Sequence, residues 1–156
     1  MDKDGELKRP VMVHRAIFGS VERFFGILIE HFAGRFPLWI SPLQVRVLSA
    51  ADRHEEYALE VEREMTKAGL ICDVDATSES INKKVRNAQL MQVNYILTVG
   101  DKEVENKTVA LRTRDNVLHG EVKVSDLIAS LCQEKKERAL HSSFAKEEKH
   151  EQNCCQ

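Results

Sequence analysis

Val93-Asn-Tyr-Ile-Leu-Thr-Val99 is an almost continuous apolar run that stops at Gly100. Such a run is typical of a central strand that is buried on both faces of a sheet. The preceding segment, Ser80–Gln92, carries apolar residues at helical spacing, at Ile81, Val85 and Ala88. A helix that leads directly into a buried strand favours an α/β fold with parallel strands.

The same alternation extends outward in both directions. Four further strands are predicted, at Gln44–Ser49, Leu70–Asp75, Thr108–Thr113 and Glu121–Val124. Two further helices are predicted, at His54–Ala68 and from Ser125 to about Arg138. The resulting order, β-α-β-α-β-β-β-α, predicts a mixed, mostly parallel five-stranded sheet flanked by helices.

The first part of the chain has a different pattern. Arg9–His14 is predicted as a short strand, and residues 20–33 as an amphipathic helix that ends at Gly34. Two prolines within 37–42 indicate a connecting segment with apolar anchors. We therefore predict four regions: 1–36, a linker at 37–43, a main domain at 44–138, and a disordered polar tail at 139–156.

Composition excludes several classes of protein. The 156 residues are 42% hydrophobic and 31% charged, which is typical of a folded domain with a well-solvated surface. The net charge of −2 argues against a generic nucleic-acid coat protein. No apolar run approaches membrane-spanning length, and the first residues are polar rather than signal-like. The four cysteines form no C-x-x-C pair, which favours a reducing, cytoplasmic compartment.

Charge is distributed unevenly along the sequence. Residues 51–79 contain nine acidic and three basic residues, whereas residues 83–114 contain seven basic and three acidic residues. Basic side chains from a helix, a loop and a strand can converge on one edge of an α/β sheet and neutralise phosphates there. A purely solvated surface is the alternative interpretation.

The sequence contains no recognisable catalytic apparatus. There is no glycine-rich phosphate loop, zinc-protease motif or nucleophile elbow, and the six histidines have no metal-ligand spacing. The pair Asp73 and Asp75 is typical of a solvated strand face rather than of an acid/base pair. Cys72 alternates with core positions and is interpreted as a packing residue. From pattern alone, the chain is interpreted as an α/β binding domain.

Five segments together carry a family resemblance. Arg9-Pro-Val-Met-Val-His-Arg-Ala-Ile-Phe-Gly-Ser-Val-Glu-Arg23 resembles the third signature motif of class II aminoacyl-tRNA synthetases, in the threonyl-tRNA synthetase form. The later segments resemble that family's crossing into its anticodon-binding domain and parts of that domain, in the same order. They are Phe36-Pro-Leu-Trp-Ile-Ser-Pro42, Ile81-Asn-Lys-Lys-Val-Arg-Asn-Ala-Gln89, Val99-Gly-Asp-Lys-Glu-Val104 and Leu111-Arg-Thr-Arg-Asp115. The resemblance implies a mixed sheet covered by helices that binds the anticodon loop of threonine tRNA.

The resemblance assigns candidate RNA-binding residues. Arg112 and Glu103 match family residues that contact anticodon bases, and unstacked loop bases expose edges that these side chains can bond. Lys83, Lys84 and Arg86 are predicted phosphate contacts on charge grounds alone. Arg114, beside Arg112, completes the predicted nucleic-acid-binding set.

The resemblance also implies a partial catalytic site. Arg23 matches the arginine that binds an ATP phosphate, a role suited to the bidentate guanidinium. His14 matches one of three family zinc ligands, and the matching positions for the other two are absent from this sequence. Zinc, ATP and magnesium are therefore expected in the full-length ATP-dependent ligase, whereas this chain alone is expected to need no cofactor and to be non-catalytic.

Partners follow from the same resemblance. We expect threonine tRNA as the partner, with no DNA and no membrane. The full-length enzyme is expected to be a homodimer, and this chain alone is compatible with a monomer. One alternative is a non-catalytic tRNA-binding or dimerisation module of the same fold. A small-molecule or nucleotide-binding domain is another, although no glycine-rich loop follows the first strand.

Overall fold

The computed structural model describes residues 4–144, which form two compact units that divide between Gly34 and Arg35. The first unit contains helix α1, Val21–Phe32. The Oγ of Ser20 accepts a hydrogen bond from the backbone N–H of Arg23 and so caps the first turn. Ala33 and Gly34 follow in the left-handed conformation, at φ values of 48° and 76°, and end the helix.

The strand predicted at Arg9–His14 is absent from the structure. This stretch has no regular secondary structure. Strand geometry needs a neighbour to hydrogen-bond with, and no strand in residues 4–144 pairs with it. No residue of α1 is buried either, and none of the described residues of the first unit, 4–34, is buried.

The second unit consists of a five-stranded sheet and four helices. Its strands are β1 Val45–Ser49, β2 Cys72–Asp75, β3 Tyr95–Val99, β4 Thr108–Thr113 and β5 Leu118–Lys123. Its helices are α2 Glu55–Lys67, α3 Ile81–Leu90, α4 Asp101–Asn106 and α5 Val124–Glu137. Short 3-10 helices at Leu38–Ile40 and Asp52–His54 precede β1 and α2.

The strand order in the sheet is β2-β1-β3-β4-β5. The β1 strand pairs in parallel with β2 and β3, while the pairs β3–β4 and β4–β5 are antiparallel. The α/β fold with a mixed five-stranded sheet is therefore confirmed, with parallel and antiparallel pairs in equal number. The apolar run after Asn94 is the central strand β3, as predicted.

Helix α4 was not predicted by the sequence pattern, which placed a loop there. At six residues it is too short to show an apolar period. The last helix also begins at Val124, whereas the sequence predicted a start at Ser125. The N-cap residue is Lys123, which still has extended backbone angles.

The two faces of the sheet are covered unequally. Helices α2 and α5 pack on one face of the sheet. They form the main core with the inward side chains of all five strands, to which β5 contributes only the partly buried Val122. Helix α3 packs on the other face, where Ala88 joins Leu48 and Ile96 in a smaller cluster. On that second face, the outward residues of β4 are only half-buried and those of β5 are mainly exposed. This leaves an accessible surface beside α3.

The predicted linker at 37–43 is held against the second unit. Leu38 is only 1% exposed and belongs to the main core. The buried side chain of Gln44 donates to the Leu38 carbonyl at 2.8 Å and accepts from the Ile71 N–H at 2.9 Å. The segment is thereby fixed to the start of β1 and to the chain entering β2.

The described part of the predicted tail, 139–144, also packs on the domain. The buried carboxylate of Glu134 accepts hydrogen bonds from the Tyr95 hydroxyl at 2.6 Å and from the backbone N–H and hydroxyl of Ser143, both at 2.9 Å. The Phe144 ring meets the Tyr95 ring edge-on, at 5.9 Å between centroids. The rest of the predicted disordered tail, 145–156, lies outside the described residues.

Candidate nucleic-acid interface

Arg112 lies on the accessible face of β4, beside α3. It pairs in register with Ile96 of β3, and cross-strand partners project from the same face of a sheet. Ile96 packs against α3, so Arg112 is on the α3 side. Its other neighbour is Leu118 of β5, which is 65% exposed. A half-buried guanidinium beside an exposed apolar side chain can bond the edge of an unstacked base while the base rests on that side chain.

One guanidinium N–H of Arg112 donates to the side-chain oxygen of Asn116. Asn116 lies in the turn between β4 and β5 and has a left-handed φ of 64°. The same oxygen accepts from the Gln89 amide of α3 at 2.8 Å. The sequence-based prediction missed both amide residues.

Glu103 lies in α4, where its carboxylate accepts a hydrogen bond from the backbone N–H of Gly100 at 3.0 Å. This bond satisfies an N–H at the beginning of the helix that has no partner within the helix. Glu103 precedes the start of β4, whereas Arg112 lies near the end of that strand. Arg112 is four residue steps along the strand from Thr108, or about 13 Å.

Replacing Glu103 with alanine is expected to destabilise the domain by about 0.5–1.5 kcal/mol, the net contribution of one hydrogen bond. Glu103→Gln retains an acceptor for Gly100 and is expected to remain within about 0.5 kcal/mol of the parent protein. Chemical denaturation of both variants measures the difference. Equal losses of stability would show that the carboxylate charge, rather than the cap, stabilises α4.

Asp101, the first residue of α4, anchors this helix to the segment before α2. Its carboxylate accepts two hydrogen bonds from Arg53, at 2.9 and 2.6 Å, and lies 2.9 Å from Nε2 of the buried His54. The hydrogen bonds from Arg53, then that with His54, lower the pKa of Asp101 below its ordinary value. This cluster, which the sequence pattern did not indicate, fixes the helix that carries Glu103.

The neighbours Lys83 and Lys84 of α3 have opposite environments. Lys83 is 61% exposed and forms an ion pair with Glu79 at 2.6 Å. Lys84 is only 3% exposed. Its ammonium donates to the Ser49 carbonyl at 3.0 Å, the Ser49 hydroxyl at 3.4 Å and the Asp75 carbonyl at 3.1 Å.

The structure therefore corrects the prediction that Lys84 contacts phosphate. Its ammonium is enclosed and joins the ends of β1 and β2 to α3, where no RNA backbone can reach it. Arg86 is exposed on α3, as a phosphate contact requires. Lys83 and Arg86 remain the predicted phosphate contacts of this helix.

Arg114 also forms hydrogen bonds within the domain. Its guanidinium donates to the carbonyl of Phe36 at 3.0 Å, and its backbone N–H donates to the carbonyl of Asn94 at 3.1 Å. Burial lowers the pKa of Arg114 below the ordinary value for arginine. Its side chain therefore holds the segment before β1 against the end of β4, and RNA binding by Arg114 stays a prediction.

The two residues assigned to a catalytic site lie in the first unit. Arg23 is exposed in the first turn of α1, and His14 is exposed in the irregular segment before it. Within residues 4–144, no group of three or more His, Cys, Asp or Glu side chains is arranged to hold a metal ion. His14 thus has no further ligands there, and the residues present do not fit a zinc ion.

Other candidate residues have packing or solvated roles. Burial, with the nearby Glu62 charge, raises the pKa of the Cys72 thiol to about 12, which makes it a poor nucleophile. Asp73 pairs with Arg46 at 2.5 Å, and Asp75 accepts from the Thr77 hydroxyl at 2.7 Å. Neither carboxylate is placed as half of an acid/base pair. Among the described helices, none is long and apolar enough to cross a membrane.

Comparisons with known proteins identify the family of the domain. The family model described as "Anticodon binding domain" matches residues 44–134. A threonine–tRNA ligase of Protochlamydia amoebophila is 60% identical over 146 residues, which are 94% of this chain and 22% of that protein. A probable cytoplasmic threonine–tRNA ligase 1 of Dictyostelium discoideum is 52% identical over 137 residues, which are 87% of this chain and 19% of that protein.

A solved structure has the same fold. The crystal structure of the RNA-binding domain of threonyl-tRNA synthetase from Cryptosporidium parvum superposes with a TM-score of 0.71 at 39% identity. The match covers 85% of this chain and 32% of that one. This chain spans about a fifth of the length of the curated relatives. It belongs to the anticodon-binding domain family, in the form found in threonine–tRNA ligases.

Proposed function

We propose that this chain binds the anticodon loop of threonine tRNA, as the anticodon-binding part of an ATP-dependent threonine–tRNA ligase. The observation that carries the proposal is Arg112, a half-buried guanidinium on the accessible sheet face beside the exposed Leu118. Such a side chain can donate to base edges, and the exposed Lys83 and Arg86 supply charge for phosphates. Glu103, in α4 before the start of β4, is the proposed second base contact.

The chemistry of aminoacylation is assigned to the rest of the full-length protein. There, ATP with magnesium would supply the activation of the threonine carboxylate, and zinc would supply a binding site for the amino acid. Arg23 is proposed to bind an ATP phosphate through its guanidinium, and His14 to be one ligand within a zinc site completed by other residues. On its own, this chain is proposed to bind RNA without catalysing a reaction. The name of the Dictyostelium relative supports a cytoplasmic location.

The test is binding of the whole chain to two stem-loop RNAs at two salt concentrations. One RNA carries a threonine anticodon, and the other has the same bases in scrambled order. We expect the cognate loop to bind more tightly by about 1–3 kcal/mol, the discrimination that a bidentate base contact supplies. The preference should persist at both salt concentrations, because phosphate contacts contribute equally to the two RNAs.

If the two loops bind equally, and their affinity varies with salt concentration but not with anticodon sequence, base readout is contradicted. Self-association without a preference between the RNAs would instead favour the alternative, a dimerisation module of the same fold. Sedimentation of the chain alone and with each RNA separates these outcomes.

A further inference from the structure

Arg112 is the end of a chain of side-chain hydrogen bonds that joins β4 to α3. The Asn116 oxygen accepts from both the Arg112 guanidinium and the Gln89 amide. These three side chains come from a strand, a turn and a helix, and they meet on the sheet face proposed to bind RNA. All of their contacts lie within the second unit.

The central acceptor is fixed by the backbone around it. The Asn116 N–H donates to the Thr113 carbonyl at 2.9 Å, and the Thr113 N–H donates to the Val117 carbonyl at 3.1 Å. The left-handed conformation of Asn116 is one that asparagine and glycine adopt more readily than most residues. The turn therefore presents the amide oxygen in one direction, toward the guanidinium.

A guanidinium has five N–H donors in a planar fork, and its plane sets which base edges it can meet. An arginine side chain in solution samples many rotamers, and ordering it on binding costs free energy. One N–H held by Asn116 fixes this plane before RNA arrives and leaves the other donors for a base. Gln89 occupies the second lone pair of the same oxygen and so stabilises the amide orientation.

We propose that Asn116 and Gln89 are positioning residues for anticodon readout, which hold the Arg112 guanidinium in its base-reading orientation. This inference rests on the proposed function, since it assigns the support of the proposed base contact. Neither residue needs to touch RNA for this role.

The test compares four variants of the whole chain with the two stem-loop RNAs. Asn116→Gly removes the amide but suits the left-handed turn, and Asn116→Asp retains the acceptor. Gln89→Met removes the donor without impairing the helix, and Arg112→Ala removes the guanidinium. Thermal unfolding of each variant confirms that the fold is intact.

We expect Asn116→Gly to lower the cognate-to-scrambled affinity ratio by about 2- to 10-fold, the factor corresponding to one ordinary hydrogen bond. Gln89→Met should lower it less, and Asn116→Asp should retain most of it. Affinity for the scrambled loop should be unchanged in Asn116→Gly and Gln89→Met, whereas the added negative charge of Asn116→Asp should weaken both loops by a similar factor. In the Arg112→Ala background, Asn116→Gly should have no further effect, because a positioning residue acts only through the residue that it positions.

The results distinguish failure of this inference from failure of the proposed function. If Arg112→Ala removes the preference and Asn116→Gly does not, the positioning role is wrong and anticodon readout stands. An increase of cognate affinity in Asn116→Gly also overturns the positioning role, because Asn116 would then restrain Arg112 from RNA. If the parent protein shows no preference at all, the proposed function itself fails.

Discussion

Replacing Lys84 with methionine is expected to destabilise the domain by about 2–4 kcal/mol, because buried acceptors lose their donor. The Lys84 ammonium donates to the Ser49 carbonyl and hydroxyl and to the Asp75 carbonyl. Methionine has similar length and good helix propensity, so packing and helix formation are largely retained. The free energy of unfolding, measured by urea denaturation, tests this expectation.

Lys83→Met is the matched control. The Lys83 side chain is largely exposed, and its ion pair with Glu79 is a surface pair spaced i,i+4. Such pairs contribute little, so the change is expected to alter stability by no more than about 0.5 kcal/mol. Comparable destabilisation by the two substitutions would contradict the structural role of Lys84.

The same two variants separate structural from RNA-binding lysines. If Lys83 contacts one phosphate, Lys83→Met should reduce the slope of log affinity against log salt concentration by about 0.7. Lys84→Met should leave that slope unchanged wherever the protein remains folded.

Arg112→Ala is expected to remove the preference for the cognate anticodon loop, a loss of about 1–3 kcal/mol in cognate binding. The reason is the position of its guanidinium on the accessible face, beside the exposed Leu118. Affinity for the scrambled loop should change far less, since phosphate contacts from other residues remain. Fluorescence anisotropy with both labelled RNAs measures the two affinities in parallel.

Arg86→Ala is the control for charge. Arg86 is exposed on α3, outside the hydrogen-bonded group of Arg112, Asn116 and Gln89. Its removal should weaken both RNAs by a similar factor and preserve their ratio, which is the signature of a phosphate contact. A cognate preference that survives Arg112→Ala would exclude Arg112 as the reader of the anticodon.

The sequence predicted those features that depend on local pattern. The run from Val93 to Val99 became the central strand because burial on both faces demands continuous apolar residues. The first strand and the three longer helices of the second unit followed from periodicity in the same way. Helix α4 was not predicted because its stability comes from Glu103 and from the contacts of Asp101. Such contacts produce no apolar periodicity in the sequence.

The candidate site was only partly predictable for a similar reason. The burial of Lys84 had a local signal, because it lies three residues after Ile81 and four before Ala88, on the apolar stripe of α3. By contrast, the partner of Arg114 is the carbonyl of Phe36, 78 positions away. No local sequence pattern predicts this hydrogen bond, or the one between Gln89 and Asn116.

The strand order has a consequence for how this domain behaves at high concentration. Among the residues that the structure describes, it leaves β2 and β5 with one unpaired side each, and free strand edges can recruit strands from other molecules. The β2 edge carries Asp73 and Asp75. The β5 edge carries Glu121 and Lys123, and its pairing with β4 is irregular next to Gly120, which has a φ of 77°. Charges and irregular pairing both disfavour strand addition, so we expect the domain to resist amyloid-like assembly through its sheet.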